Sequence, residues 1–182
     1  MVLEFSFTLS PLKIVFYSDN ILNVFIGKRG LKMIIGLSGM PASGKDTVAE
    51  YLQNKGFDHI SLSAVLRDIL RERDLEINLE NLTKVGNSLG KEFGQGYLIE
   101  RAREKADFSK DLIVSSIRQP GEITELRKQK DFKMIFVDAD ARTRFERLKL
   151  RGRSGDSETF EQFMIIENKQ VDGKSGGMNL GE

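Results

Sequence analysis

The fifteen residues 33–47, MIIGLSGMPASGKDT, constrain this chain more than any other segment. Residues 33–38 are apolar without alternation, which predicts a strand covered on both faces. Gly39 and Gly44 bracket a turn. Residues 45–55 then place Val48, Tyr51 and Leu52 at helical spacing, and Gly56 ends the run. A strand, a glycine-rich loop and a helix, with lysine directly after the second glycine, form a cradle for phosphate. The glycines let backbone N–H groups turn inward around an anion, and the helix adds the positive end of its dipole. A lysine at this position bridges the β- and γ-phosphates of a bound nucleotide. Gly39, Met40, Pro41, Ala42, Ser43, Gly44, Lys45, Asp46 and Thr47 are therefore the candidate ATP-binding residues. The plainer alternative, an ordinary turn between strand and helix, does not account for the lysine.

One residue departs from the pattern. A serine or threonine is expected after the lysine as a Mg²⁺ ligand, and Asp46 stands there with Thr47 next. Mg²⁺ takes oxygen ligands and keeps several waters, so Asp46 and Thr47 are the candidate metal residues. The competing reading of Asp46 is an acidic first-turn residue that complements the helix dipole.

Beyond this segment the pattern alternates. Residues 59–62, 112–116 and 133–138 read as strands. Helices are predicted over 64–73 with Ser63 as N-cap, 80–93, 97–105, from Pro120 to 129, over 141–150, and over 159–168 with Thr159 and Gln162 at capping-box spacing. Strands alternating with helices predict an α/β fold on a central parallel sheet. Ahead of Met33, the runs 12–17 and 21–26 flank Ser18-Asp19-Asn20 and suggest a hairpin. Because every motif begins at Met33, a second reading of 1–32 is sequence lying upstream of the true start. The chain thus divides into an extension, 1–32, and a domain built on the phosphate loop, 33–182. The glycine-rich tail from 171 carries no predicted element.

Composition removes several classes. The chain has 182 residues, one domain by size, with 40% hydrophobic and 30% charged residues and a net charge of +1. Near-neutral charge, with no basic stripe interleaved with aromatics, argues against nucleic acid as a partner. No apolar run is long enough for a membrane span, and Glu4 interrupts any signal-peptide pattern; the expected compartment is the cytoplasm. The absence of cysteine excludes disulfides, thiolate zinc sites and a cysteine nucleophile. The single histidine, His59, reads as a strand-start residue rather than a catalytic group.

From Met33 onward the chain resembles the nucleoside monophosphate kinase superfamily, in particular an archaeal branch of adenylate-kinase-like and dephospho-CoA-kinase-like proteins. The residues carrying the likeness are GMPASGKDTVAEYL at 39–52, SLSAVLRDIL at 61–70, IRQPGE at 117–122 and FVDADARTRFERLKLRGR at 136–153. The resemblance implies a three-layer P-loop NTPase fold with a helical acceptor-binding insert, here 64–106, and an arginine-rich lid. It implies an ATP- and Mg²⁺-dependent kinase whose partner is a small-molecule nucleotide acceptor. By position, Arg67 and Arg118 would grip the acceptor phosphate, since a guanidinium binds phosphate in a bidentate fashion. Lys45, Arg118, Arg151 and Arg153 would stabilise the transferring phosphoryl group. Arg144 and Arg147 share the face of Arg151 at helical spacing, where the alternative is a solvated face paired with Asp138, Asp140 and Glu146.

Three differences from the resembled kinases shape the expected activity. Their third strand ends in an acidic residue and glycine, whereas this chain has Ser115-Ser116, with Glu122 the nearest carboxylate downstream. Dephospho-CoA kinases carry an aspartate just after the second strand as base for a hydroxyl acceptor, and here the residues are Ser61-Leu62-Ser63. A phosphate acceptor is already ionised and needs no such base. The expected acceptor is therefore a nucleoside or deoxynucleoside monophosphate. A dephospho-CoA-kinase-like enzyme, with Asp68 as a substitute base, and an ATP-binding regulatory protein with little activity are the alternatives. Finally, the resemblance predicts a further strand and helix after the final residues, GGMNLGE; either residues 12–26 substitute for that strand or the sheet edge is open.

Overall fold

The computed structural model describes residues 2–7, 10–16, 32–152 and 159–171. Six strands form one sheet: β1 (Val2–Phe7), β2 (Ser10–Phe16), β3 (Ile34–Ser38), β4 (Asp58–Ser61), β5 (Leu112–Ser115) and β6 (Phe132–Asp138). Their spatial order is β1-β2-β6-β3-β5-β4. The four strands β6, β3, β5 and β4 are parallel. Among the described residues there are seven helices: α1 (Lys45–Gln53), α2 (Leu62–Glu72), α3 (Leu79–Glu92), α4 (Tyr97–Arg103), α5 (Pro120–Arg127), α6 (Ala141–Arg151) and α7 (Phe160–Val171). This is the α/β, P-loop NTPase arrangement expected from the sequence.

Both faces of the parallel strands are covered, which is why they read as unbroken apolar runs. On one face Ile35, Leu37, Ile113, Ile135 and Val137 pack against Val48, Ala49 and Leu52 of α1. On the other, Ile34, Leu112 and Val114 pack against α2 through Leu62, Val65, Ile69 and Leu70, with Val85 and Leu89 of α3 and Ile99 of α4 behind them. Removing each such side chain from water contributes about 2 kcal/mol. A smaller cluster joins α6 to α7 through Phe145, Leu148 and Phe163, with ring centroids of Phe145 and Phe163 5.7 Å apart.

The hairpin differs from its sequence-based expectation. It joins 2–7 to 10–16, with Leu3 opposite Ile14 and Phe5 opposite Leu12, rather than 12–17 to 21–26. The run 21–26 lies outside the described residues. Strand β2 pairs antiparallel with β6, register Ile14 to Val137, at the edge where the resemblance implied a further strand.

Helix boundaries also shift. Helix α2 begins at Leu62, so Ser63 lies inside it and does not cap it; its hydroxyl instead accepts a 2.6 Å hydrogen bond from Arg67 Nη1. Asn78 caps α3, its side chain accepting from Asn81 N at 2.8 Å. The capping box at Thr159 and Gln162 is present, with Gln162 N donating to Thr159 Oγ1 at 3.3 Å and Thr159 N to Gln162 Oε1 at 3.4 Å. No helix among the described residues is long and apolar enough to cross a membrane.

Candidate functional site

The glycine-rich loop links the C-terminal end of β3 to the first turn of α1, the place where strand order reverses and open α/β sheets carry ligands. Its backbone is bent in ways few side chains allow. Gly39 has φ +143°, and a Cβ there would collide with the carbonyl oxygen of Val137. Gly44 has φ +103° and Ala42, not a glycine, φ +58°. A left-handed alanine costs roughly 1 kcal/mol and persists only where neighbours hold it. Arg147, reaching from α6, donates to the carbonyls of Ala42 and Ser43, both at 3.1 Å. With their oxygens so tied, these peptides keep the loop's inward turn.

Lys45 folds over this loop. Its Nζ donates to the carbonyls of Gly39 and Met40 at 2.6 and 2.7 Å. Burial lowers its pKa from 10.5 to about 8; Asp46 opposes the shift, while Arg118, Arg144 and Arg151 add to it. Three arginines and one carboxylate thus act on the lysine. The donor set also suits Mg²⁺: Asp46 and Thr47 present exposed side-chain oxygens on the first turn of α1. Among the described residues there is no group of three or more His, Cys, Asp or Glu that would hold a metal without help from phosphate oxygens.

Beside the loop a cavity of about 400 Å³ opens between α2, α3, the α3–α4 turn and the β5–α5 connection. Arg67 and Arg118, far apart in the chain, both line it. Arg118 is accessible to solvent yet surrounded by protein, as a group lining an open cavity is. Burial lowers its pKa, Glu122 opposes the shift, and the charge of Arg67 adds to it. Leucines 62, 66, 82, 89 and 98 make much of the wall apolar.

Glu122 is the one carboxylate on the cavity wall. It is 2% exposed and accepts the backbone N–H groups of Arg118 at 2.7 Å and Gln119 at 3.0 Å, tying down the first turn of α5. Burial raises its pKa from 4.5 to about 7, against those two hydrogen bonds and the charge of Arg118. Glu122 thus caps its own helix, and its partners in the structure are this loop rather than Asp46 or Thr47. Asp68, the substitute base considered from the sequence, is paired with Arg71 and Lys105 on the surface and does not line the cavity.

The lid arginines divide. Arg144 is buried, donates Nε to the Ala139 carbonyl at 2.7 Å and forms an ion pair with Glu167 of α7. Arg147 braces the phosphate loop, a role for which a separation of more than 100 residues leaves no signal in the sequence. Arg151 ends α6 close enough to Lys45 to affect its charge. Arg153 lies outside the described residues. On the α1 face of the sheet, His59 Nε2 and Ser115 Oγ are 2.8 Å apart, and burial holds the histidine below its usual pKa, with Asp46 opposing.

Comparison with known proteins places this geometry. A family described as AAA domain matches residues 35–170. The UPF0200 protein TK1334 of Thermococcus kodakarensis is 31% identical over 153 residues, 80% of this chain and 83% of that protein. The UPF0200 protein MJ1399 of Methanocaldococcus jannaschii is 33% identical over 147 residues, 76% of this chain and 73% of the relative. Among solved structures, the crystal structure of TT1252 from Thermus thermophilus superposes with a TM-score of 0.51 at 19% identity, covering 78% of this chain and 81% of that one, which is likeness of fold.

Proposed function

The chain belongs to the AAA domain family, alongside the archaeal UPF0200 proteins, and on that premise we propose that it is an ATP- and Mg²⁺-dependent kinase acting on a nucleoside or deoxynucleoside monophosphate. The observation that carries this reading is the cavity beside the phosphate loop, with Arg67 and Arg118 on its wall. A protein that only binds ATP has no need of a second, cationic cavity there.

Bound ATP with its Mg²⁺ supplies the phosphoryl group. The residues of the chain do the rest. Lys45 Nζ exchanges the carbonyls of Gly39 and Met40 for phosphate oxygens, and the loop's N–H groups hold the rest of the triphosphate. Arg67 and Arg118 hold the acceptor phosphate, and Arg151 and Arg153 bring positive charge from the lid side. Asp46 and Thr47 offer the metal its protein oxygens. An acceptor phosphate is ionised at neutral pH, so positioning and charge compensation suffice and no base is required. Neither Glu122, engaged with two backbone N–H groups, nor Asp68, engaged with two cations, is placed to serve as base for a hydroxyl acceptor such as dephospho-CoA.

The test is ADP release from ATP and Mg²⁺ across nucleoside monophosphates, deoxynucleoside monophosphates and dephospho-CoA, with Lys45→Ala as control. Stimulation by a monophosphate, lost in the variant, is the expected result. Stimulation by dephospho-CoA alone would move the acceptor to that class. ATP binding with no acceptor-dependent turnover would replace the kinase reading with that of a nucleotide-regulated protein.

A further inference from the structure

Helix α3 carries two glycines in its interior, Gly86 and Gly90, four residues apart and so on one side of the helix. Both line the cavity that holds Arg67 and Arg118. Glycine in a helix interior is about 0.5–1 kcal/mol less favourable than alanine. The usual compensations are missing here. Neither glycine has a positive φ. A Cβ at Gly86 would meet only Leu66 Cδ2, at 3.4 Å, and at Gly90 only the Cα of Gln95, at 4.0 Å. Those neighbours are themselves cavity residues. Gly121, by contrast, has no such room: a Cβ there would collide with Gln95. The free protein therefore accommodates alanine at 86 and 90, and the space the two glycines leave empty belongs to the cavity.

We infer that Gly86 and Gly90 are specificity-determining residues of the acceptor cavity, presenting bare helix backbone as the wall against which the acceptor's planar base lies; the inference rests on the proposed mononucleotide kinase reading. The chemistry of the remaining wall agrees. The cationic groups Arg67 and Arg118 suit the phosphate, while α3 adds one further lining cation, Lys91, after Gly90 and none beside Gly86. Leu66 and Leu82 give an apolar surface beside them, and Asn87, on the same helix, offers an amide that both donates and accepts toward a base edge. A flat ring needs a flat wall, and two side chains missing from one helix face provide it. The cavity volume lies in the usual range for small-molecule sites.

The experiment uses the full chain, with Gly86→Ala and Gly90→Ala made singly and together. Thermal unfolding of the free protein is measured alongside calorimetric titration with AMP, GMP, CMP, UMP, their deoxy forms and ATP. Wild type is titrated first. If it binds no monophosphate, the mononucleotide reading fails and this inference falls with it. Given binding, the expected result has three parts: a melting temperature equal to or above wild type, an unchanged ATP affinity, and a monophosphate affinity lower by about tenfold, the scale of overpacking a filled site by one methyl group. Undiminished monophosphate affinity in the double variant would overturn the inference while leaving the kinase reading intact. A fall in melting temperature would also overturn it, because the glycines would then serve the packing of the free protein.

Discussion

Replacing Glu122 by glutamine removes a charge from a site that strongly disfavours it and leaves the shape of the site nearly unchanged. The carboxyl is 2% exposed, with a pKa raised by burial from 4.5 to about 7. For an acid whose folded pKa lies above its unfolded value, the folded state holds the proton longer, so the stability this group contributes is present at low pH and lost as pH rises from 4.5 toward 7. A shift of that size corresponds to about 3 kcal/mol in total, most of which is lost between pH 5 and pH 8. Glutamine keeps an oxygen to accept from Arg118 N and Gln119 N but does not titrate. The assay is urea unfolding of wild type and Glu122→Gln at pH 5, 6, 7 and 8. The stability of wild type relative to the variant is expected to fall by about 2–3 kcal/mol across that range. The comparison cancels His59, whose lowered pKa acts with the opposite sign in both proteins. A change below about 1 kcal/mol would refute the reasoning. It would mean that the two N–H donors and Arg118 outweigh burial and keep the group ionised well below neutral pH.

Two further outcomes follow from other buried charges. Lys45 has a pKa near 8 in the free protein, and phosphate oxygens beside it favour its charged form, so ATP binding at about pH 8 is expected to take up protons; calorimetry in buffers of different ionisation enthalpy reads this directly, and Lys45→Met is expected to lose it together with most of the affinity. Arg144 and Glu167 form an ion pair at 6% and 8% exposure, so Arg144→Met alone is expected to cost about 3–5 kcal/mol in urea unfolding, while Arg144→Met combined with Glu167→Leu recovers most of that loss.

The parts of the fold that were legible in the sequence are those whose determinants are local. A strand buried on both faces, such as Ile34–Ser38, is an apolar run; α1 is a run with helical spacing; and the phosphate loop is a contiguous motif whose glycines meet a backbone requirement. The hairpin was misplaced because its register depends on β2 meeting β6, more than a hundred residues away. Ser63 looked like a cap because serine favours that position, yet α2 starts earlier, at Leu62, which is 1% exposed and whose burial outweighs a capping hydrogen bond. The acceptor cavity was only half legible. Arg67 and Arg118 were visible through the resemblance, but the glycines of α3 gain a meaning only from the placement of α2 and Leu66 beside them. Arg147 belonged to a stripe of arginines that sequence could not resolve into a loop brace, a buried ion pair and a group near Lys45.

The charge arrangement around Lys45 bears on the missing carboxylate at the end of β5. In the resembled kinases an acidic residue stands where Ser115 does, and its loss would seem to strip the phosphate site of negative charge. Ser115 is not left unsatisfied, because its hydroxyl pairs with His59, a side chain that burial holds toward its neutral form. On the proposed reading, Asp46, on the first turn of α1 where the helix dipole favours it, supplies a carboxylate instead. From there, among the described residues, it raises the pKa of Lys45 against burial and three arginines, and it also acts on His59. A negative charge moved from strand end to helix start therefore still faces the same lysine. That shift relates the two departures of the motif, aspartate after the lysine and serine after the strand, as one exchange rather than two defects. On the proposed reading, the exchange keeps an oxygen ligand for Mg²⁺ at the site while leaving the acceptor side, with Arg67 and Arg118, free of opposing acid except for the tied carboxyl of Glu122.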